Sequence, residues 1–262
     1  MIIVRVLSAS QTKSRLVLIG MTIGSLLIPG VIRAQTPPAD TNFNSWFMYF
    51  GDHAIPDTRW GIHLEGQARR SEGINTWQQW LLRSGVNFRL TDHIVLAGGL
   101  AYVKSYPYGS VAGANVRENR FYEQLAIRNR FPRLSVQNRF RLEQRLIENA
   151  PGPHGEDRGW DYRNRVRYMV RSDVPFGKTG RRSKFGLGVY NEVFINFGAE
   201  RGPRAFAQDR AYGALTYKIS KTNRIEMGYL FQYIPFRTSQ ISDYNHTLQL
   251  AWYSTTPFGS TK

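Results

Sequence analysis

From residue 44 onward the chain alternates apolar and polar residues, one segment after another. Successive residues of a β-strand point to opposite faces, so a period of two predicts strands with one apolar and one polar face. Two adjacent segments state it most strongly. In 137–147 (QNRFRLEQRLI), Arg139, Arg141, Glu143 and Arg145 take every second place. Phe140, Leu142 and Leu146 lie between them, with Gln144 as the break. In 162–171 (YRNRVRYMVR), Arg163, Arg165, Arg167 and Arg171 alternate with Val166, Tyr168 and Val170. Each segment has an apolar face and a row of arginines.

The same reading predicts strands over 59–69, 77–90, 94–105, 120–131, 185–197, 208–219, 224–236 and 244–254, with a short aromatic segment at 44–51 (NSWFMYFG). The off-face of 94–105 is small: Ala97, Gly99 and Ala101. Glu123 shares the parity of Phe121, Leu125 and Ile127, and a local bulge would turn it away from that face. No segment reads as an amphipathic helix or a second domain.

Two features place lipid rather than water against the apolar faces. The segments run to about 11–15 residues, whereas a globular strand averages roughly 5–6 and a tilted membrane strand needs about 9–11. The six tryptophans also fall near predicted strand ends: Trp46, Trp60, Trp77, Trp80, Trp160 and Trp252. Aromatic girdles at two interfaces mark a membrane barrel. Short turns fall near Thr91, Pro132 and 220–223, and longer links at 106–116, 149–158 and 198–207. From Arg59 onward this gives ten strands with the C-terminus on the short-turn side, and 44–51 is an odd eleventh. The expected fold is therefore all-β, an antiparallel up-and-down transmembrane barrel of 10–12 strands.

In such a barrel the arginines face the lumen. Candidate residues of an anion path are Arg128, Arg130, Arg139, Arg141, Glu143, Arg145, Arg163, Arg165, Arg167, Glu65 and Glu226. Trp60, Trp77, Trp80, Trp160 and Trp252 are the expected interface aromatics. Long side chains largely fill a small lumen, so a salt-bridged plug and a narrow passage both remain open. Basic residues dominate the inward list, and a ring of arginines biases a pore toward negative solutes.

The chain's net charge is +16, and it has no cysteine. The missing thiols exclude disulfides and thiolate sites. Residues 1–34 read as a cleaved secretory signal, with a basic front and an apolar run (LVLIGMTIGSLLI) too short to span a bilayer as a helix. Removal of 1–34 would take away four basic and no acidic residues, leaving +12. Residues 35–43 read as a linker and 44–262 as the barrel domain.

No hydroxyl sits in a recognisable nucleophile–base arrangement. His63 is inward beside Glu65, and His246 shares a face with Leu248 and Leu250, within reach of Ser239 or Ser242. These two histidines keep a lipid-modifying hydrolase open as an alternative, and a soluble periplasmic β-protein that binds an anionic ligand is another. No cofactor or metal site is expected. The expected partners are outer-membrane lipids, lipopolysaccharide and the barrel-assembly machinery. Nucleic acid is not among them, because the positive charge is spread along strands.

The segments NSWFMYFG, EGQARR, RFYEQL (120–125), RLEQR (141–145) and HTLQLAWY together resemble the bacterial outer-membrane barrel family catalogued as domain of unknown function 2490. The resemblance spans roughly 44–258, with RLEQR its most specific part. It implies an outer-membrane barrel and supplies no catalytic residues. One departure is the C-terminus, where GSTK follows Phe258.

Overall fold

A computed structural model describes residues 39–109, 113–149, 159–177, 183–198, 205–235 and 241–259. The signal-like segment lies outside these residues. The described residues form eleven strands in one closed sheet: β1 (Ala39–Ala54), β2 (Trp60–Ser71), β3 (Thr76–Arg89), β4 (Ile94–Ser105), β5 (Val116–Arg130), β6 (Ser135–Glu148), β7 (Trp160–Pro175), β8 (Phe185–Phe197), β9 (Phe206–Lys218), β10 (Asn223–Ile234) and β11 (Ser242–Ser254). Each strand pairs antiparallel with its sequence neighbours.

The segment expected to be a short eleventh strand is a full one of 16 residues. It begins at Ala39, so residues 39–43 belong to β1 rather than to a linker. An odd number of strands makes the first and last run in the same direction. The barrel therefore closes through a parallel β1–β11 ladder, from Ala39↔Ser242 to Gly51↔Ser254. This is where the fold departs from a wholly antiparallel barrel.

Strand direction defines two ends. At the turn end, short links join β1–β2, β3–β4, β5–β6 and β9–β10, and β11 finishes there. At the other end, the loop end, β1 starts and β4, β6, β8 and β10 finish, each with a longer stretch of sequence before the next strand. The 72–75 turn is short at the loop end, and more sequence separates β7 from β8 than the other strands that meet at the turn end.

The alternation sorts by side as the sequence predicts. Arg139, Arg141, Glu143 and Arg145 point into the barrel, while Phe140 and Leu146 point out. The outer surface is apolar, with Leu100 63% and Leu248 57% exposed. Trp60, Trp252, Trp80 and Trp160 are also exposed there. Trp77 stacks on Trp80 at 4.4 Å, with Arg70 over its ring at 4.1 Å.

Trp46 is different: it is 1% exposed and lies inside. It belongs to an internal apolar patch with Met48, Tyr212, Ala214, Leu230 and Ala251. Glu123 also differs from expectation. No bulge interrupts its ladder, in which it pairs with Gly98 and Leu142, so its carboxylate stays on the outer face.

The small face of β4 continues onto β3, where Gly85 pairs with Gly99. A Cβ on Gly85 would collide with the Tyr122 hydroxyl and lie 2.6 Å from the Gly98 carbonyl oxygen. Glycine at this position thus leaves room for the fully buried Tyr122 ring.

Candidate functional site

The inward residues build a charged interior on β1–β3 and β5–β10. Glu143, with no exposed surface, sits at its centre. Its Oε2 accepts from Arg165 at 2.6 Å and its Oε1 from Arg167 at 2.8 Å. Arg83 Nη2 reaches Glu143 from across the barrel at 3.5 Å. Glu192 is shared three ways: Oε1 accepts from Arg139 at 2.7 Å and from Arg167 at 2.8 Å, and Arg210 stands 3.9 Å from Oε2. Toward the turn end, Glu226 binds Arg171 and accepts from Arg224 Nη2 at 2.9 Å. Glu65 binds Arg83 and lies 3.3 Å from His63, whose other ring nitrogen is 2.8 Å from Asp52.

Charges removed from water need close partners, and a guanidinium fork matches a carboxylate well. This explains why the inward arginines gather around a few buried glutamates, two or more of them sharing Glu143 and Glu192. The rings inside the barrel supply a second kind of support. Tyr122 lies between Arg83 and Arg141, at 5.2 and 5.1 Å. Phe194 carries Arg165, Arg167 and Arg210 at 5.2, 4.4 and 4.8 Å. Ring faces attract cations, the more so where water is excluded.

Most of the residues singled out from sequence meet in this interior. Arg128 bonds Gln137 at 2.7 Å, and with Arg130 it lines the turn-end mouth. Arg163 lies apart, partly exposed and paired with Asp161 at 3.0 Å near the start of β7. Sequence reasoning missed Glu118, which is buried and paired with Arg120 at 2.6 Å and also with Arg145. It also missed the inward rings Trp46, Tyr122 and Phe194. Parity held the signal: Tyr122 sits between Arg120 and Gln124 in the inward series, and Phe194 follows Glu192 by two.

The cavity among these residues has a volume of about 1270 Å³. Its walls include Tyr106, Tyr108 and Arg145 at the loop end and Arg130, Lys184 and Thr255 at the turn end. Among the described residues sixteen Arg and Lys side chains line it against five Asp and Glu. His246 lies on the outer face instead. Its Nδ1 is hydrogen-bonded to the Tyr229 hydroxyl at 2.5 Å, and its ring stacks on Phe43 at 5.3 Å. Among the described residues no group of His, Cys, Asp and Glu is arranged to hold a metal ion.

A family model for DUF2490, described as a protein of unknown function, matches residues 43–243. The chain belongs to the DUF2490 family. An uncharacterized protein of Methylorubrum extorquens is 30% identical over 191 residues, covering 71% of this chain and 76% of the relative. Among solved structures, the NanC porin aligns with a TM-score of 0.43 at 10% identity, over 73% of this chain and 86% of that one. The DUF2490 match begins within β1 and ends at the start of β11, so it takes in nearly the whole closed sheet.

Proposed function

We propose that this DUF2490 protein is an outer-membrane β-barrel whose arginine-lined interior is a narrow path favouring small anions. The observation that carries the reading is the cavity: one continuous space, walled by residues of both ends, in which basic side chains outnumber acidic ones by about three to one. A cation excess around a confined path lowers the energy of anions in it and raises that of cations. The membrane part of the reading draws on the apolar exterior, strands of 12–16 residues, exposed aromatics toward both ends and the export-like N-terminal segment. On this reading the loop end faces outward, where basic side chains meet lipopolysaccharide, and the barrel-assembly machinery inserts the chain.

Planar-bilayer recording tests the proposal. The barrel is expected to conduct in small steps, with a reversal potential on the anion side in a potassium chloride gradient. A sealed barrel or a cation preference would overturn it.

Two other readings have their own checks. A soluble anion-binding protein would fractionate with the periplasm and lack heat-modifiable gel mobility. A lipid hydrolase would lose lipid turnover in cells carrying His246→Ala or His63→Ala. His246 is bonded to the Tyr229 phenol and stacked on Phe43, with Phe231 tilted against it, and His63 faces two carboxylates, so neither ring is paired with a serine or threonine hydroxyl.

A further inference from the structure

Nearly every arginine deep in the barrel touches a carboxylate, but Arg69 and Arg141 touch none among the described residues. Arg141 donates to Gln124 Oε1 at 2.9 and 2.6 Å. Arg69 donates to Gln67 Oε1 at 2.9 and 2.5 Å. Arg69 is 8% exposed, yet it borders the cavity. Its guanidinium carbon stands 3.9 Å over the Trp46 ring, and that of Arg210 lies 5.2 Å from the same ring. Two cations thus share one indole. The nearest carboxylate to Arg210 is Glu192 at 3.9 Å, and Arg139 and Arg167 already hold it at 2.7 and 2.8 Å.

The indole is itself fixed. The register shift between Arg69 and Arg70 makes Gln78 an extra residue on β3 and turns it inward. There its Oε1 accepts from Trp46 Nε1 at 2.7 Å. The amides of Gln208 and Gln232 complete the wall; with its oxygen facing Arg210, Gln208 accepts at 2.8 and 3.0 Å. The arrangement is hydrogen-bonded, rich in amides and cationic, and among the described residues no carboxylate pairs with Arg69.

We propose that Trp46, Arg69 and Arg210 form a binding station for the carboxylate or phosphate group of a small solute. A buried cation without a counter-charge is unfavourable, and an incoming anion relieves it. Gln67 occupies only part of the Arg69 fork. The remaining N–H donors suit two oxygens of one carboxylate or phosphate. Arg210 supplies a second cation at the same ring, and the surrounding glutamine amides offer donors and acceptors to the polar body of the solute. The station deepens the anion-path reading, since it gives that path a place where an anion pauses.

The test uses the folded barrel in detergent, titrated calorimetrically with inorganic phosphate and, separately, with acetate at constant ionic strength. Binding near one per barrel is expected for at least one of them, and the tighter of the two names the source class. Arg69→Gln and Arg210→Gln should each weaken it at least tenfold. Arg69→Lys, which keeps the charge and loses the fork, should weaken it as well. Arg163→Gln, at the rim and paired with Asp161, should leave it unchanged. Heat-modifiable mobility certifies that each variant is folded.

Unaltered binding in folded Arg69→Gln overturns the station, as does the absence of binding of both anions to the wild type. Anion preference in bilayers without binding removes the station and leaves the path. Binding without anion preference leaves the station and removes the path.

Discussion

Two glutamates, one on each face of the barrel wall, show how side decides whether a carboxylate stabilises the fold. Glu143 is buried inside and held by Arg165 and Arg167 at 2.6 and 2.8 Å. Removing its charge leaves two arginines short of a partner, and breaking a buried pair costs about 3–5 kcal/mol. Glu123 is the eighth of fifteen residues in β5 and faces outward among Phe121, Leu125 and Leu142. A carboxylate near the middle of a lipid-facing surface is unfavourable, though less so than Arg or Lys. Glu143→Gln should therefore lower stability by that amount. Glu123→Leu should raise it by roughly 1–2 kcal/mol. Urea unfolding of the barrel in lipid vesicles measures both; changes of the same sign would contradict the assigned sides. Alternation was enough to place both side chains. It did not reveal that the inward rings Trp46, Tyr122 and Phe194 carry the arginines, because a ring that seats a cation and a ring that seats lipid have the same parity signature until the side is known.

Among the elements, the β1–β11 seam is the most informative. Strand lengths follow from the pattern: residues 94–105 and 185–197 come out with the bounds read from sequence. The partner of β1 does not. Its first five residues, Ala39–Phe43, have weak alternation, and its ladder with β11 joins residues some 200 positions apart. The seam is directly testable because the chain has no cysteine. Ser45 and Leu248 are Cα partners there, and both side chains belong to the outward series. A Ser45→Cys/Leu248→Cys pair should cross-link under mild oxidation and migrate faster on a non-reducing gel. Ser45→Cys with Leu250→Cys, a diagonal pair about 7–8 Å apart, should cross-link poorly. Cross-linking with the reverse preference would refute the parallel register.

At the scale of the molecule, an odd barrel puts its termini at opposite ends. β1 starts at the loop end and β11 finishes at the turn end. With loops outward, an epitope placed directly before Ala39 should be reached by antibody on intact cells. One after Lys262 should be reached only after permeabilisation. Accessibility on the same side would exclude eleven-strand closure. Much of this architecture was legible beforehand, because side-chain parity, strand length and turn chemistry are local properties of the chain. They determine that these segments are strands, which face carries arginine, and that aromatics gather at the ends. Closure was not local. Whether the first strand meets the last, and in which direction, depends on strand number and sheet curvature summed around the ring. Only that closure makes one confined cavity of separate arginine rows. It assigns Glu143 to Arg165 and Arg167, and brings Arg69 of β2 and Arg210 of β9 to a single indole on β1.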